Sequence, residues 1–229
     1  QNVTVDAETD GEVRDAGDVT LSNDTGNATI EVPAGNLTTT GVQNITVDAD
    51  DVSNDTQQLT VDPAQVTELS VADTSAPVDA GNTVDVTISG VDRFDNPVDN
   101  GSSLNNLTID SEFEGEILSS NPGDFDGSGN LTVTTTSSVT TANDSHTLTI
   151  NTTDSNITSP LPLTQDIDVN GGDVATLNAE DLRIQADAPR SQKELIINAT
   201  DEFNNPVENV NISYTNADLI SGLDGSPGT

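Results

Sequence analysis

Helical periodicity is almost absent from this chain. Short runs instead alternate apolar with polar residues, and that alternation governs what the chain can fold into. Val84, Val86 and Ile88 alternate with Asp85 and Thr87, Leu107 and Ile109 with Thr108, and Leu148 and Ile150 with Thr149. Residues 44–47 (Asn-Ile-Thr-Val) and 130–133 (Asn-Leu-Thr-Val) behave alike. A period of two puts apolar side chains on one face of a strand and polar ones on the other. With Gly, Asn, Asp or Pro interrupting every 8–15 residues or so, the pattern predicts antiparallel strands with one wet face. The expected fold class is all-β.

Self-comparison divides the chain. Residues 84–100 align without gaps on 193–209, an offset of 109 residues. Ile88 matches Ile197, Asp92 matches Asp201, and Phe94 matches Phe203; Asn96-Pro97-Val98 matches Asn205-Pro206-Val207. Residues 1–13 align in the same way on 105–117, pairing Thr4 with Thr108, Asp6 with Asp110, and Gly11 with Gly115. An offset near 109 suits one immunoglobulin-like sandwich of about 100 residues and its linker. The expectation is a tandem of such β-sandwich domains: 1–64 the C-terminal part of one, 65–172 a complete one, and 173–229 the N-terminal part of a third. Pro63 and Gly171-Gly172 punctuate the boundaries.

The Asn-Pro turns at Asn96-Pro97 and Asn205-Pro206 read as structural. Proline fixes φ and donates no ladder hydrogen bond, so it stands where a strand ends. Phe94 and Phe203 precede these turns in a chain with only four phenylalanines, and are expected to fold back as core anchors.

Charge narrows the setting. Forty acidic residues against five basic ones give a formal charge of −35, and Lys193 is the only lysine. Such a balance suits either disorder or a fold living in concentrated salt, where a Debye length of about 3 Å at 1 M quenches carboxylate repulsion. The acids are spread between alternating runs along the whole chain, which favours the salt-adapted fold and a haloarchaeal source. Five scattered cations make no patch for nucleic-acid phosphates or an anionic membrane. There is no cysteine for disulfides or thiolate metal sites. No apolar run approaches the ~20 residues of a membrane span, and no signal peptide opens the chain.

Fourteen Asn-x-Ser/Thr sequons occur, where chance predicts about six. Outward strand faces explain some, since Asn and Thr two apart share a face, as at Asn44 and Thr46. The excess points to N-linked glycans, with Asn36, Asn54, Asn100, Asn143 and Asn156 as candidate acceptors. Asp124, Asp126 and Ser128 start a sequence like a Ca²⁺ loop, but Thr135 stands where the bidentate Glu belongs. A hairpin turn explains the same residues. His146, the single histidine, follows Asp144 and Ser145 at the edge of an alternating run, and is expected at the surface. No nucleophile elbow, phosphate loop or His-rich metal spacing is present, and no enzymatic activity is expected, nor any cofactor beyond Ca²⁺ at the Asp124–Ser128 loop and the N-linked glycans.

Asp92 to Val98 and Asp201 to Val207, followed by Asp126 to Gly129 before the Thr-rich run at 131–133, resemble the bacterial Ig-like domains of the invasin and intimin (Big-1) type. The glycine that follows Pro-Val in that family is displaced to Gly101 in one repeat and missing from the other. The resemblance implies stacked domains projecting from a cell surface, often for adhesion, and supplies no catalytic residues. The sequence thus predicts an extracellular structural or adhesive module of a surface layer, stalk or filament, with neighbouring domains or copies of the same protein as partners. Two alternatives are a spacer of a secreted enzyme and a filament subunit that donates strands between copies.

Overall fold

The computed structural model describes residues 1–99, 101–179 and 196–213; Asn100 and Lys193 lie outside them. Within 1–64, strands β1 (Asn2–Ala7), β2 (Gly11–Asp18), β3 (Gly41–Ala49) and β4 (Asp55–Val61) form one antiparallel sheet in the order β2-β1-β3-β4. The next strands are β5 (Glu68–Thr74), β6 (Val78–Asp79), β7 (Asp85–Val91), β8 (Leu107–Ser111), β9 (Gly115–Ser120), β10 (Asn130–Thr134), β11 (Asn143–Asn151) and β12 (Leu163–Asn170). They build a three-stranded sheet, β10-β7-β5, and a five-stranded sheet, β6-β12-β11-β8-β9. Among the described strands, only β6 runs parallel to its neighbour, β12. A last hairpin pairs β13 (Thr176–Ala179) with β14 (Ile197–Thr200). The chain is a tandem of Ig-like β-sandwich units. The helical content of the described residues is one 3-10 turn, Ala34–Asn36.

Alternation places the core. Val84, Val86 and Ile88 from the smaller sheet meet Leu107, Ile109, Leu148, Ile150 and Ile167 from the larger, all buried. Burying each such side chain contributes about 1.5–3 kcal/mol, so two facing sheets of alternating residues suffice without a disulfide. Phe125 plugs this core beneath β7, and Gly90 makes room for it. A Cβ at Gly90 would lie 2.8 Å from Phe125 Cε1.

The repeats share register as well as sequence. In the first sheet Val5 faces Val47, and Gln43 faces Leu59; in the larger middle sheet Ile109 faces Ile150, and His146 faces Ile167. Gly90 pairs with Leu69 as Ala199 does with Leu177, and Val91 bridges to Pro97 as Thr200 does to Pro206. Asp95 and Asn204, at matching turn positions, both take a left-handed conformation, with φ of 64° and 68°. Asp and Asn tolerate that region better than other side chains.

Two expectations are corrected. Neither phenylalanine is a core anchor: Phe94 is half-buried, Phe203 is exposed, and Phe125 fills the core instead. The Asn-Pro turn lies at the end of the sandwich, so the preceding aromatic faces the neighbouring unit rather than the space between the sheets. His146 is fully buried, not at the surface. It continues the inward series of Leu148 and Ile150 one step earlier on β11, and period two carries it inside.

Candidate functional site: the joints between domains

Each Asn-Pro turn meets the preceding unit. In the first turn, Asp92 Oδ1 accepts hydrogen bonds from the backbone N–H groups of Phe94 (2.8 Å) and Asn96 (3.1 Å). Its Oδ2 accepts the N–H of Ala64 in the linker at 3.0 Å, and the Asn96 amide donates to the same oxygen at 3.1 Å. Held this way, Asn96 reaches across the boundary. Its Nδ2 donates to the Thr38 carbonyl at 2.7 Å, and its Oδ1 accepts the Thr40 N–H at 3.4 Å.

The second turn repeats every one of these contacts. Asp201 accepts the N–H groups of Phe203 (2.9 Å), Asn205 (2.8 Å) and the linker residue Gly172 (3.0 Å). Asn205 donates to Asp201 Oδ2 at 2.8 Å and to the Thr140 carbonyl at 2.7 Å, and accepts the Ala142 N–H at 3.0 Å. Donor and acceptor of one carboxamide are thus both used by the neighbouring unit, which fixes the side chain in two directions rather than one.

The receiving loops are themselves pinned. Asp10, at the β1–β2 turn, accepts the Thr38 and Thr39 N–H groups at 2.9 and 3.2 Å and both their hydroxyls at 2.9 and 2.8 Å. Glu114, at the β8–β9 turn, accepts the Thr140 and Thr141 N–H groups at 2.9 Å each and the Thr140 hydroxyl at 3.1 Å. A buried polar side chain stands behind each loop. Gln43 Nε2 donates to the Thr39 carbonyl, while His146 lies 3.4 Å from the Thr141 carbonyl through Nδ1 and 2.7 Å from Ser111 Oγ through Nε2. Ser111 in turn donates to Glu114. The joint is therefore a relay of matched groups: carboxylate, threonine loop, asparagine, aspartate, linker.

Electrostatics agree with a permanently charged joint. Burial alone would raise the pKa of Asp92 and Asp201, but the N–H groups of the linker and turn and the Asn amide outweigh it and hold both below the ordinary value. Burial likewise acts upward on Asp10 and Glu114. Hydrogen bonds from Thr39 and Thr38 bring Asp10 down to about 2, and Ser111, Thr140 and Thr141 lower Glu114. Among the described residues no Lys or Arg salt bridge reaches these carboxylates; Glu114 Oε2 lies 3.4 Å from His146 Nε2.

The Ser111, His146 and Glu114 group is not a nucleophile relay. The carboxylate lies on the same ring nitrogen as the serine rather than on the opposite one, where an orienting acid belongs, and the group is buried. Gln43 takes the same place in the first unit, which marks the position as structural.

Both phenylalanines belong to the joints. Phe94 lines a cleft with Leu37, Leu59 and Ala64 of the preceding segment, and the Arg93 guanidinium lies 4.6 Å from its ring centroid. Phe203 lies against Gly81, where a Cβ would be 3.1 Å from Phe203 Cε2. The other sequence candidates lie elsewhere. Asp126 Oδ1 accepts the N–H groups of Ser128 and Asn130 at 2.8 and 2.9 Å, closing the turn into β10. Asp124 and Asp126 line one shallow cleft at this turn, and among the described residues no three His, Asp or Glu side chains gather as a metal-binding group. Asn36, Asn54, Asn143 and Asn156 are exposed, although the Asn36 amide donates to the Val13 carbonyl at 2.6 Å. Asp10, Glu114 and the threonine loops escaped the sequence reading as site residues. The signal was present: the alignment of 1–13 on 105–117 pairs Asp10 with Glu114.

No family model matches the chain, and no curated protein matches it significantly. Among solved structures, domains 1–6 of the surface layer protein SbsC match over 90% of this chain and 24% of theirs, at 19% identity and a TM-score of 0.31. Domains 4 and 5 of the same protein match over 73% of this chain and 70% of theirs, at 19% identity and a TM-score of 0.30. The chain spans about a quarter of the longer surface-layer chain it matches. Similarity at this level identifies neither a partner nor an assembly.

Proposed function

We propose that this chain is an extracellular structural module, a tandem of Ig-like domains held at fixed angles, in a surface layer, stalk or filament of a salt-adapted organism. The observation that carries the proposal is the recurrence of one joint at two successive boundaries, with Asp92 and Asn96 at the first and Asp201 and Asn205 at the second. Domain interfaces within a chain move by default unless something fixes them. A joint that commits a buried aspartate, a second carboxylate and a threonine loop to orientation serves a protein whose output is shape. The Big-1 resemblance of the same turns fits such a stacked arrangement.

Two further features support the surface and salt parts of the reading. Every described sequon asparagine except Asn130 is exposed, which suits a glycosylated exterior with Asn54, Asn143 and Asn156 as acceptors. A formal charge of −35 suits a fold that relies on dissolved salt for screening.

Small-angle X-ray scattering in molar salt tests the rigid arrangement. The wild-type chain should give a sharp pair-distance profile, and an Asn96→Ala/Asn205→Ala variant a broadened one. Identical profiles would remove the joints as the fixing element.

A further inference from the structure

His146 and Gln43 take corresponding places, yet they meet their acceptors differently. Gln43 Nε2 carries two hydrogens. One goes to the Thr39 carbonyl, and the other faces Asp10 Oδ2 at 3.4 Å. In the middle unit the equivalent acceptors are the Thr141 carbonyl, 3.4 Å from His146 Nδ1, and Glu114 Oε2, 3.4 Å from Nε2. Two nitrogens stand where one amide stood. An imidazole with a single proton can donate to one acceptor and not to both. The shared geometry therefore calls for a proton on each ring nitrogen.

The hydrogens around Ser111 lead to the same place independently. Its Oγ touches Glu114 Oε2 on one side and His146 Nε2, at 2.7 Å, on the other. Each contact needs a proton between its two atoms, and a hydroxyl supplies one. Oγ also accepts the backbone N–H groups of Phe113 and Glu114, at 3.2 and 3.1 Å, so the second proton belongs to a titratable neighbour. Glu114 Oε1 accepts three donors from Thr140 and Thr141, which favours the ionised carboxylate. The proton thus rests on Nε2. The first unit has no such requirement: Ala7 aligns with Ser111, and a carboxamide does not titrate.

The ring's other neighbours are uncharged. Phe113 meets it edge-on, with ring centroids 4.9 Å apart, and Ile167 pairs with it on β12. On the surrounding elements Glu112, Asp144, Asp166, Asp168 and, from the facing sheet, Asp85 are exposed, while Asp110 alternates with buried Ile109 and Ser111 and so takes the outer face. Asp201 acts on the loop through Asn205.

We infer that one titratable proton, held on His146 and shared with Ser111 and Glu114, keeps the second joint closed, and that the first joint, built on Gln43, has no counterpart of it. Glu114 pins the Thr140–Thr141 loop, and that loop receives Asn205. Without the proton, lone pairs of Nε2 and Oγ face each other, unless the Ser111 hydroxyl turns to the ring and abandons Glu114. Either way a buried contact is lost beside the loop. The closed joint uses the proton and the open one does not, so a rise in pH that removes it favours opening. This device rests on the proposed joints being closed contacts and makes one of them answer to pH.

The chain has a single histidine, so its ring nitrogens can be followed without ambiguity. Long-range proton–nitrogen correlation spectra of the 229-residue chain in molar salt, over roughly pH 5–9, should show both ring nitrogens protonated while the second joint is closed. As the ring loses a proton, the Ala142 amide, held by Asn205, should exchange about tenfold faster relative to its intrinsic rate, with the same midpoint. The Thr40 amide, held by Asn96, should not change. In His146→Gln the Ala142 amide should stay protected and lose the step, with circular dichroism confirming the fold. A ring bearing one proton beside a protected Ala142, an equal step at Thr40, or a step that survives His146→Gln would overturn the inference. Protection at both amides that stays level in pH would sink it alone, whereas no protection at either would remove the joints with it.

Discussion

Asn205→Ala removes the side chain that spans the second joint while leaving the backbone turn in place. Two cross-boundary hydrogen bonds disappear, one to the Thr140 carbonyl (2.7 Å) and one from the Ala142 N–H (3.0 Å). At a net contribution of about 1 kcal/mol each, the joint loses about 2 kcal/mol. Every 1.4 kcal/mol is tenfold, so opening of the joint should become about thirty-fold more frequent. Amide hydrogen exchange reads this residue by residue, since local openings expose particular N–H groups without global unfolding. The Ala142 amide should exchange about thirty-fold faster in the variant. Gly172, held by Asp201 at 3.0 Å, should accelerate less, because its acceptor remains. The core amide of Val84, held by Thr135 Oγ1 at 3.0 Å, should not change. Unchanged exchange at Ala142 would refute the joint as an energetic contact. Equal acceleration at Val84 would refute it differently, by showing that Asn205 supports the domain rather than the boundary.

Three further outcomes follow from the same geometry. His146→Gln should lie within about 1 kcal/mol of wild type in urea unfolding, because Gln43 fills the corresponding place, whereas His146→Leu should lose about 1–2 kcal/mol by removing the ring's hydrogen bonds to Ser111 and to the Thr141 carbonyl. Gly90→Ala should destabilise by about 1–3 kcal/mol through overlap with Phe125, and adding Phe125→Leu should recover part of that loss, a non-additivity that a double-mutant cycle in urea would measure. The pH dependence follows from carboxylates whose folded pKa is depressed. Their contribution is complete above the unfolded value near 4 and is lost as pH falls toward the folded value, about 2 for Asp10. Urea midpoints should therefore stay level from pH 7 to 5 on this account and fall between about pH 4 and 2, and Asp10→Asn should flatten the acid limb.

Much of the fold was legible because its determinants are local and periodic. The series Val84, Val86, Ile88 and Leu148, Ile150 announce both strand and buried face, and the aligned Asn-Pro turns announce the repeat. The errors arose where period two was followed only as far as residues that looked apolar. His146 belongs to the inward series of β11, but a polar residue at an inward position is invisible to a hydrophobicity pattern. Phe94 and Phe203 failed the other way. Being aromatic, they looked like core, yet position in the fold decides burial, and a residue at a sandwich end can bury itself only on a neighbouring domain. The joint was half legible. Asp92 with Asn96 stood out as a repeated turn, but that the asparagine side chain aims outward, at threonine carbonyls some sixty residues away, follows only from tertiary placement.

The central claim is that both boundaries are closed by the same asparagine contact. Nuclear Overhauser effects from the side-chain amides of Asn96 and Asn205, measured on the deuterated chain in molar salt, test it most directly. The account predicts cross-peaks from Asn96 to the backbone of Thr38–Thr40 and from Asn205 to that of Thr140–Ala142, both at full intensity. Amides that show contacts only within their own turns, or a contact at one boundary and none at the other, would contradict it.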